Sequence, residues 1–185
     1  LGCGSGKECT RPHWGNPADG GSLSWPPACR EDLVSGSCRR QHHRPRGTTA
    51  LAGAAQEEHD GVVDALLAAR ADVNIACTTN GFTALQLGAQ QGHDGIVDAL
   101  LAARADVNVT NDYRCTALHQ AARNGHDGII VDALLDAGAE KEAPGSNGVT
   151  PLITAATYGH LPVVKTLLAA RVDVNGVSDM GTSAL

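Results

Sequence analysis

The residues of this sequence best suited to catalysis or metal binding are histidines, cysteines and paired carboxylates. Four histidines recur at intervals of 33 or 34 residues, at His59, His93, His126 and His160, which suggests a repeat of that length. Helices of neighbouring repeats pack about 10 Å apart, so two of these rings are too distant to share one metal ion. Asp60 and Asp64 also recur in phase in the next repeat. This regularity predicts structural turn positions and solvated helix faces rather than a catalytic or metal site.

A second candidate for metal binding is the segment of residues 1–46, which contains four cysteines and three histidines. Structural zinc sites usually contain a close pair such as C-x2–4-C. Here five residues separate Cys3 from Cys9, and eight separate Cys29 from Cys38. We therefore predict no metal site in this segment, and no cofactor for the chain.

Three common catalytic motifs are missing from the sequence. These are the phosphate-binding G-x4-G-K-[ST], the zinc-protease H-E-x2-H and the nucleophile motif G-x-S-x-G. Gly2, Gly4 and Gly6 precede Lys7, but their spacing differs from that of a phosphate-binding loop and no helical pattern follows. We therefore predict that the chain is not an enzyme and has no catalytic residues.

Composition divides the chain near Gly47. The 185 residues include 20 acidic and 14 basic ones, for a net charge of −6. Residues 1–46 have a net charge of +3 and only four Leu, Ile, Val or Phe residues. Residues 47–185 have a net charge of −9 and 34 such residues. Because residues 1–46 contain too little apolar surface to offset the entropy of ordering, we predict that they are disordered.

Charge and hydropathy exclude two further classes of function. A net negative chain is poorly suited to coat nucleic acid, whose phosphates attract basic surfaces. No apolar run approaches the roughly 18 residues of a membrane span, so we expect no membrane insertion. The chain starts with Leu rather than Met and ends just inside a repeat, and we expect it to be a fragment.

Residues 47–185 consist of an internal repeat of 33 or 34 residues. The segments 59–74 and 93–108 agree at fifteen of sixteen positions. Short Thr/Ser-Ala/Pro-Leu sequences recur at the same period, starting at Thr49, Thr83, Thr116, Thr150 and Ser183. The predicted units are 47–80, 81–113, 114–147 and 148–180, with the start of a fifth at 181. A period of this length predicts a solenoid in which each unit buries its apolar face against its neighbours.

Each unit divides into two short helices. Thr150 suits the cap before the first helix, and Pro151 suits its first position. Gly92, Gly125 and Gly159 suit a left-handed end of that helix. Apolar residues at i, i+1, i+4 and i+5 then form one stripe along the second helix.

Some positions depart from this repeat. Arg70, Arg104 and Arg171 stand where the third unit has Gly138. A left-handed backbone at these arginines would cost about 1 kcal/mol relative to glycine. Gly88 stands where other units have Ala, and it is expected to weaken its helix by about 1 kcal/mol.

The third unit also contains one extra residue near Ile129 and Ile130. An insertion inside a helix would rotate every later residue by about 100°. Because the pattern from Val131 onward keeps its phase, we expect the turn after His126 to absorb the extra residue.

This repeat resembles that of the ankyrin repeat family. The residues that carry the resemblance are Thr116-Ala117-Leu118-His119, Ala121-Ala122, Gly125-His126, Val131, Leu134-Leu135, Gly138-Ala139, Thr150-Pro151-Leu152 and Gly159-His160. The resemblance covers residues 47–185. It implies an all-α solenoid of helix-turn-helix units with projecting β-turn fingers, preceded here by the predicted disordered segment.

In the ankyrin family, ligands lie along the concave side, against the finger tips and the first helix of each unit. The resemblance therefore implies finger contacts at Asn80, Phe82, Asp112, Tyr113, Cys115, Ser146, Asn147 and Val149. It implies first-helix contacts at Gln90, Gln91, Arg123, Asn124, Thr157 and Tyr158. These positions differ between the units of this chain, which favours a tailored surface; the alternative is that exposed positions vary freely.

Four of these residues are predicted anchors of a partner: Phe82, Tyr113, Arg123 and Tyr158. Aromatic and arginine side chains are enriched among the residues that contribute most to interfaces. Tyr113, Arg123 and Tyr158 belong to adjacent units, and we expect them to form one patch.

The function predicted from the resemblance is a protein–protein interaction scaffold or adaptor. The alternative is a targeting or regulatory module of a larger enzyme or channel. The net charge of the repeats favours a partner with a neutral or basic surface. We expect a monomer that is intracellular, either cytoplasmic or nuclear. Cys77 and Cys115, expected to be free thiols, are consistent with a reducing compartment.

A modification is also implied by resemblance alone. The pattern Leu-Leu-x4-Asp-Val-Asn at Asn74, Asn108 and Asn175 is similar to sites where ankyrin asparagines are hydroxylated by an oxygenase. These three asparagines are candidate hydroxylation sites.

Overall fold

The computed structural model describes residues 47–126 and 128–184. The predictions for residues 1–46, both the disorder and the lack of zinc, lie outside these residues. Eight α-helices form within the described part. They are α1 (Ala50–Gln56), α2 (Asp60–Ala68), α3 (Ala84–Gln91), α4 (Asp94–Ala102), α5 (Ala117–Asn124), α6 (Gly128–Asp136), α7 (Pro151–Tyr158) and α8 (Leu161–Ala169).

The helices pack as four pairs in two rows. In the first row, α3 packs between α1 and α5, and α5 also packs against α7. In the second row, α4 packs between α2 and α6, and α6 also packs against α8. Each first-row helix also packs against the second-row helix that follows it. This arrangement confirms the predicted all-α solenoid of stacked repeats.

The core lies between the rows and between successive units. Leu118 of the first row is fully buried, and so are Leu100, Leu134 and Leu167 of the second row. Small residues such as Ala121 are also completely buried where first-row helices meet. Equivalent positions are therefore buried in successive units, as the stripe of apolar residues predicts.

The predicted starts and ends of the first-row helices are present. The Oγ1 atoms of Thr49 and Thr83 accept hydrogen bonds from the backbone N–H groups of residues 52 and 86, at 3.1 and 3.3 Å. Gly92, Gly125 and Gly159 end α3, α5 and α7 with φ values of 87°, 69° and 75°. Left-handed backbone of this kind favours glycine, which confirms the predicted helix endings.

The extra residue of the third unit lies before its second helix. α4 and α6 both contain nine residues, and α6 begins only at Gly128. Val131 is completely buried, as is Val97 at the equivalent position of the second unit. The turn after His126 therefore absorbs the insertion, as predicted.

The repeated histidines connect neighbouring units. In three of the four, Nε2 lies at hydrogen-bond distance from a carbonyl oxygen near the end of the first-row helix of the preceding unit. The pairs are His93–Gln56 at 3.3 Å, His126–Gln90 at 2.7 Å and His160–Arg123 at 2.9 Å. These contacts confirm the structural role predicted from their spacing.

A second set of polar contacts connects two first-row helices, α3 and α5, to the fingers that follow them. Gln86 accepts from the N–H of Thr83 through Oε1 at 3.2 Å and donates through Nε2 to the Val109 carbonyl at 2.7 Å. His119 occupies the same position one unit later. Its Nδ1 accepts from the N–H of Thr116 at 3.2 Å, so Nε2 carries the proton donated to the Val149 carbonyl at 3.1 Å.

We predict that Gly88→Ala stabilises the fold. A Cβ at this position would lie 3.4 Å from Val97 Cγ2 and 3.5 Å from Ile96 Cγ2, at the close edge of ordinary van der Waals contact. Alanine in a helix interior should raise the free energy of unfolding by about 1 kcal/mol relative to glycine. Urea denaturation measures this change. A lower unfolding midpoint would show that the contact with Val97 is too tight.

Arg104→Gly is also expected to stabilise the chain, by less than about 1 kcal/mol. Arg104 has φ of 63°, and its equivalents Arg70 and Arg171 have φ of 58°. Glycine removes the left-handed strain, although the favourable charge at the end of α4 is lost. Thermal denaturation measures the difference. The matched variant Arg104→Ala should be less stable than Arg104→Gly, and equal stabilities would contradict the role assigned to strain.

We predict that His119 makes folding pH-dependent. Burial lowers the pKa of His119 below its usual value of 6.5, although a hydrogen bond to the Val149 carbonyl opposes this shift. The folded chain therefore takes up this proton less readily than the unfolded chain does. The stability due to neutral His119 is complete above pH 6.5 and is lost as the pH falls below 6.5 toward the lower pKa of the folded state.

The matched variant for this prediction is His119→Gln, because Gln86 already makes the same two contacts without titrating. Urea denaturation at about pH 7.5 and about pH 5 should show a smaller loss of stability in the variant than in the wild type. The comparison cancels the other titrating groups. Equal losses in both proteins would contradict the prediction.

Candidate partner-binding surface

The predicted contact positions lie in two regions next to the first row. The first is the ends of α3, α5 and α7, whose last two residues are Gln90 and Gln91, Arg123 and Asn124, and Thr157 and Tyr158. All six are exposed except Gln90, which is partly buried. The second region is the fingers, the turns that connect each second-row helix to the next first-row helix. We call both regions together the finger-side surface.

The finger residues differ in how far solvent reaches them. Asp112, Tyr113, Ser146 and Asn147 are exposed, whereas Asn80, Cys115 and Val149 are partly buried. Cys115 and Val149 directly precede helix caps, and their carbonyls accept hydrogen bonds from Gln86 and His119. The backbone of Cys115 and Val149 therefore has a structural role. The exposed positions Asp112, Tyr113, Ser146 and Asn147 offer a partner more accessible area than these two residues do.

Phe82 is not an exposed anchor, and that prediction is wrong. Its side chain is only 8% exposed and belongs to the hydrophobic core. Its carbonyl accepts a hydrogen bond from Cys77 N–H at 2.7 Å, which closes the base of the finger. The ring therefore packs inward, where it stabilises the finger instead of contacting a partner.

Hydrogen bonds between successive fingers hold them in a row. Asp112 N–H donates to the Asn80 carbonyl at 3.2 Å, and Asp179 N–H donates to the Asn147 carbonyl at 2.9 Å. Ser146 Oγ donates to the Tyr113 carbonyl. The exposed side chains of the fingers therefore extend from a backbone that is fixed by hydrogen bonds.

Arg123, Tyr158 and His160 form one cluster across the boundary between the third and fourth units. The Arg123 guanidinium carbon lies 5.6 Å from the centre of the Tyr158 ring, within the range of a cation–π interaction. The Tyr158 and His160 rings are stacked at 10°, with their centres 6.2 Å apart. His160 Nε2 also lies 2.9 Å from the Arg123 carbonyl.

Cys115 contacts the backbone of Tyr113, the third residue predicted for the patch. Its Sγ donates to the Tyr113 carbonyl at 3.4 Å. Burial raises the pKa of the Cys115 thiol, while a backbone hydrogen bond from Ser146 and the Arg123 charge partly oppose the rise. Arg123 and Tyr158 are in direct contact, whereas the described residues show no ring contact from Tyr113 to either of them. We call Tyr113, Arg123 and Tyr158 the aromatic–arginine patch.

The raised pKa keeps the Cys115 thiol protonated near neutral pH, which makes it a poor nucleophile. Among the described residues, Cys77 and Cys115 form no disulfide. No three His, Cys, Asp or Glu side chains within residues 47–126 and 128–184 lie close enough to hold a metal ion. None of the helices described is long and apolar enough to cross a membrane.

Two residues contribute to this surface in ways that the sequence pattern did not indicate. His160 was predicted only to form a turn contact, but its ring also stacks on Tyr158. Asn111 is buried, and its Oδ1 accepts from the N–H groups of Tyr113 and Cys115, both at 3.0 Å. Asn111 Nδ2 has no hydrogen-bond partner among the described atoms. The sequence signal for this role was an Asn within a predicted turn, because Asn side chains often accept hydrogen bonds from the backbone of their own turn.

The candidate hydroxylation sites lie after the second-row helices and are not among the residues of the aromatic–arginine patch. Asn74 Oδ1 accepts from Asp106 N–H at 2.8 Å. Asn108 Oδ1 accepts from Glu140 N–H at 2.9 Å, and its Nδ2 donates to the Gly138 carbonyl at 3.3 Å. These amides therefore connect successive units, and their hydroxylation, like that of Asn175, stays a prediction.

A cavity of about 280 Å³ lies elsewhere, between the helix-connecting turns of the second and third units. It is lined by Gly92, Asp94, Gly125, His126, Ile129 and Ile130. It shares no residue with the finger-side surface but borders it, because Gly92 and Gly125 directly follow Gln91 and Asn124.

Comparison with known proteins agrees with the geometry. A family model described as ankyrin repeats (3 copies) matches residues 27–111 and 89–177. The first match begins ahead of the composition break at Gly47. No curated protein matches the chain significantly. The family model covers most of the chain, and its helical repeat agrees with the stacked helix pairs described above. The chain therefore belongs to the ankyrin repeat family.

Proposed function

We propose that this chain is a scaffold or adaptor that binds another protein along its finger-side surface. Ankyrin repeats are generally protein–protein interaction modules. The observation that carries the proposal is the aromatic–arginine patch. Of the three Phe, Tyr or Trp residues in the described part of the chain, Phe82 is buried, whereas Tyr113 and Tyr158 are 59% and 53% exposed. Exposed aromatics beside an arginine are typical of residues that contribute strongly to binding.

The order of the patch supports this role. Tyr158 contacts both Arg123 and His160, and the Tyr113 carbonyl accepts hydrogen bonds from Cys115 and Ser146. Side chains that are ordered before binding lose less conformational entropy when a partner arrives. The patch also crosses the boundary between units, so a partner could contact two or three units at once.

The net charge of −9 on the repeat region supports a partner whose overall surface is neutral or basic, because long-range attraction favours its approach. The proposed adaptor acts as a monomer inside the cell, in the cytoplasm or nucleus. The alternative of a regulatory module within a larger enzyme or channel would use the same surface. No contact among the described residues favours that alternative.

The proposal predicts that a partner is captured by the full chain and lost when the patch is removed. The test variant carries Tyr113→Ala, Arg123→Ala and Tyr158→Ala. Phe82 is left intact because truncating a buried aromatic costs about 3–5 kcal/mol and would unfold the finger. Proteins captured from host lysate by each bait are quantified by mass spectrometry.

The control bait carries Val62→Ala, Asp98→Ala and Lys165→Ala, three exposed positions on second-row helices. Circular dichroism must show equal helix content in all three baits. We expect a partner to bind the wild type and the control but not the patch variant. If the patch variant retains every partner that the wild type captures, the finger-side surface is not the binding site.

A further inference from the structure

Exposed carboxylates recur along the second-row helices, and two exposed arginines lie on the finger-side surface of the second and third units. Second-row helices carry pairs of exposed carboxylates in three units, at Asp60, Asp64, Asp94, Asp98, Asp132 and Asp136. The finger-side surface of the second and third units instead presents Arg114 and Arg123, both exposed. The finger that contains Arg114 also contains two exposed carboxylates, Asp106 and Asp112. Asp112 lies over Gly81, where an added Cβ would be 2.7 Å from its Oδ1. The net charge of the domain therefore does not describe the charge at the patch.

Arg123 has no acidic partner within residues 47–126 and 128–184. The ion pair found in this part of the chain joins His93 to Glu58, at 3.7 Å. The Arg123 guanidinium instead lies over the Tyr158 ring. A guanidinium on an aromatic face still has N–H donors along its edge, and their geometry matches the two oxygens of a carboxylate.

We propose that the aromatic–arginine patch selects a protein segment in which an Asp or Glu neighbours an aromatic or aliphatic residue. The carboxylate pairs with the free edge of Arg123, and the apolar side chain packs on Tyr113. This inference rests on the proposed function, since it specifies the chemistry of the segment bound at the same surface. It is compatible with a partner that is neutral or basic elsewhere.

The carboxylates of the second row do not prevent this recognition. Exposed charges interact weakly beyond the Debye length, which is about 8 Å at physiological salt. Neighbouring helices are themselves about 8–10 Å apart, so those carboxylates are screened from a ligand on the other row. A charge-assisted hydrogen bond to Arg123 acts at about 3 Å and dominates at the patch.

The test uses the full 185-residue chain and a displayed library of random peptides as the probe. Such peptides are unmodified, so any acidic group they contain is a carboxylate and not a phosphate. Peptides selected on the wild type should be enriched, relative to the starting library, in Asp or Glu next to an aromatic or aliphatic residue. Synthetic versions of the selected peptides are then titrated against variants by calorimetry.

Arg123→Gln should weaken binding of the selected peptides by at least about tenfold, because a charge-assisted pair is lost. Arg123→Lys keeps the charge but loses the planar pair of donors, and should be intermediate. The matched control is Lys165→Gln on α8, which removes an exposed cation of the second row and should leave affinity unchanged. Thermal denaturation of each variant verifies that it is folded.

Other outcomes would overturn the inference. Selected peptides without acidic enrichment, an unchanged affinity in Arg123→Gln, or a selection that yields no binders would each reject carboxylate recognition. If Tyr113→Ala and Tyr158→Ala abolish binding while Arg123→Gln does not, carboxylate recognition fails but the proposed binding surface stands. If none of the three substitutions affects binding, the selected peptides bind elsewhere, and both proposals lose their support.

Discussion

Each helix pair of this chain buries apolar surface against the pair beside it, and no pair could bury that surface alone. Leu118, for example, is fully enclosed in α5, which packs against first-row helices on both sides. Polar contacts also connect neighbouring helix pairs. The bonds from His93, His126 and His160 to preceding carbonyls connect residues 36 or 37 positions apart. Stacking between units is therefore the condition for both the core and the polar contacts.

This stacking also creates the candidate site. Arg123 ends α5, whereas Tyr158 ends α7, and they meet only because the two helices pack side by side. His160 has two roles. Its contact with the Arg123 carbonyl connects two repeat units, and its stacking on Tyr158 makes it part of the candidate site. The exposed ends of first-row helices carry no packing constraint of this kind. Their side chains can consequently differ from unit to unit while the stacking of the helix pairs stays the same.

The fold could be predicted from the sequence because its determinants repeat. Threonine caps and glycine helix ends are local signals, and each appears several times. The insertion occurs once, and the unbroken phase after it shows that it precedes the helix. The candidate surface was predicted less completely because exposure is a tertiary property. Phe82 occupies a finger position, but its ring turns into the core. The exposed Arg114 and Arg123 of the finger-side surface were likewise hidden by the net charge, which sums over the whole repeat region.

The short helices of this fold link binding to stability. First-row helices contain seven or eight residues, below the length at which an isolated helix is stable in water. The ends of α5 and α7 are therefore ordered only while their units remain stacked. A partner that contacts both Arg123 and Tyr158 binds the stacked state and not the separated one, so it stabilises the boundary between the third and fourth units. Binding at the patch and cohesion of the repeats are thus thermodynamically coupled, and His160 contributes to both through its contacts with Arg123 and Tyr158.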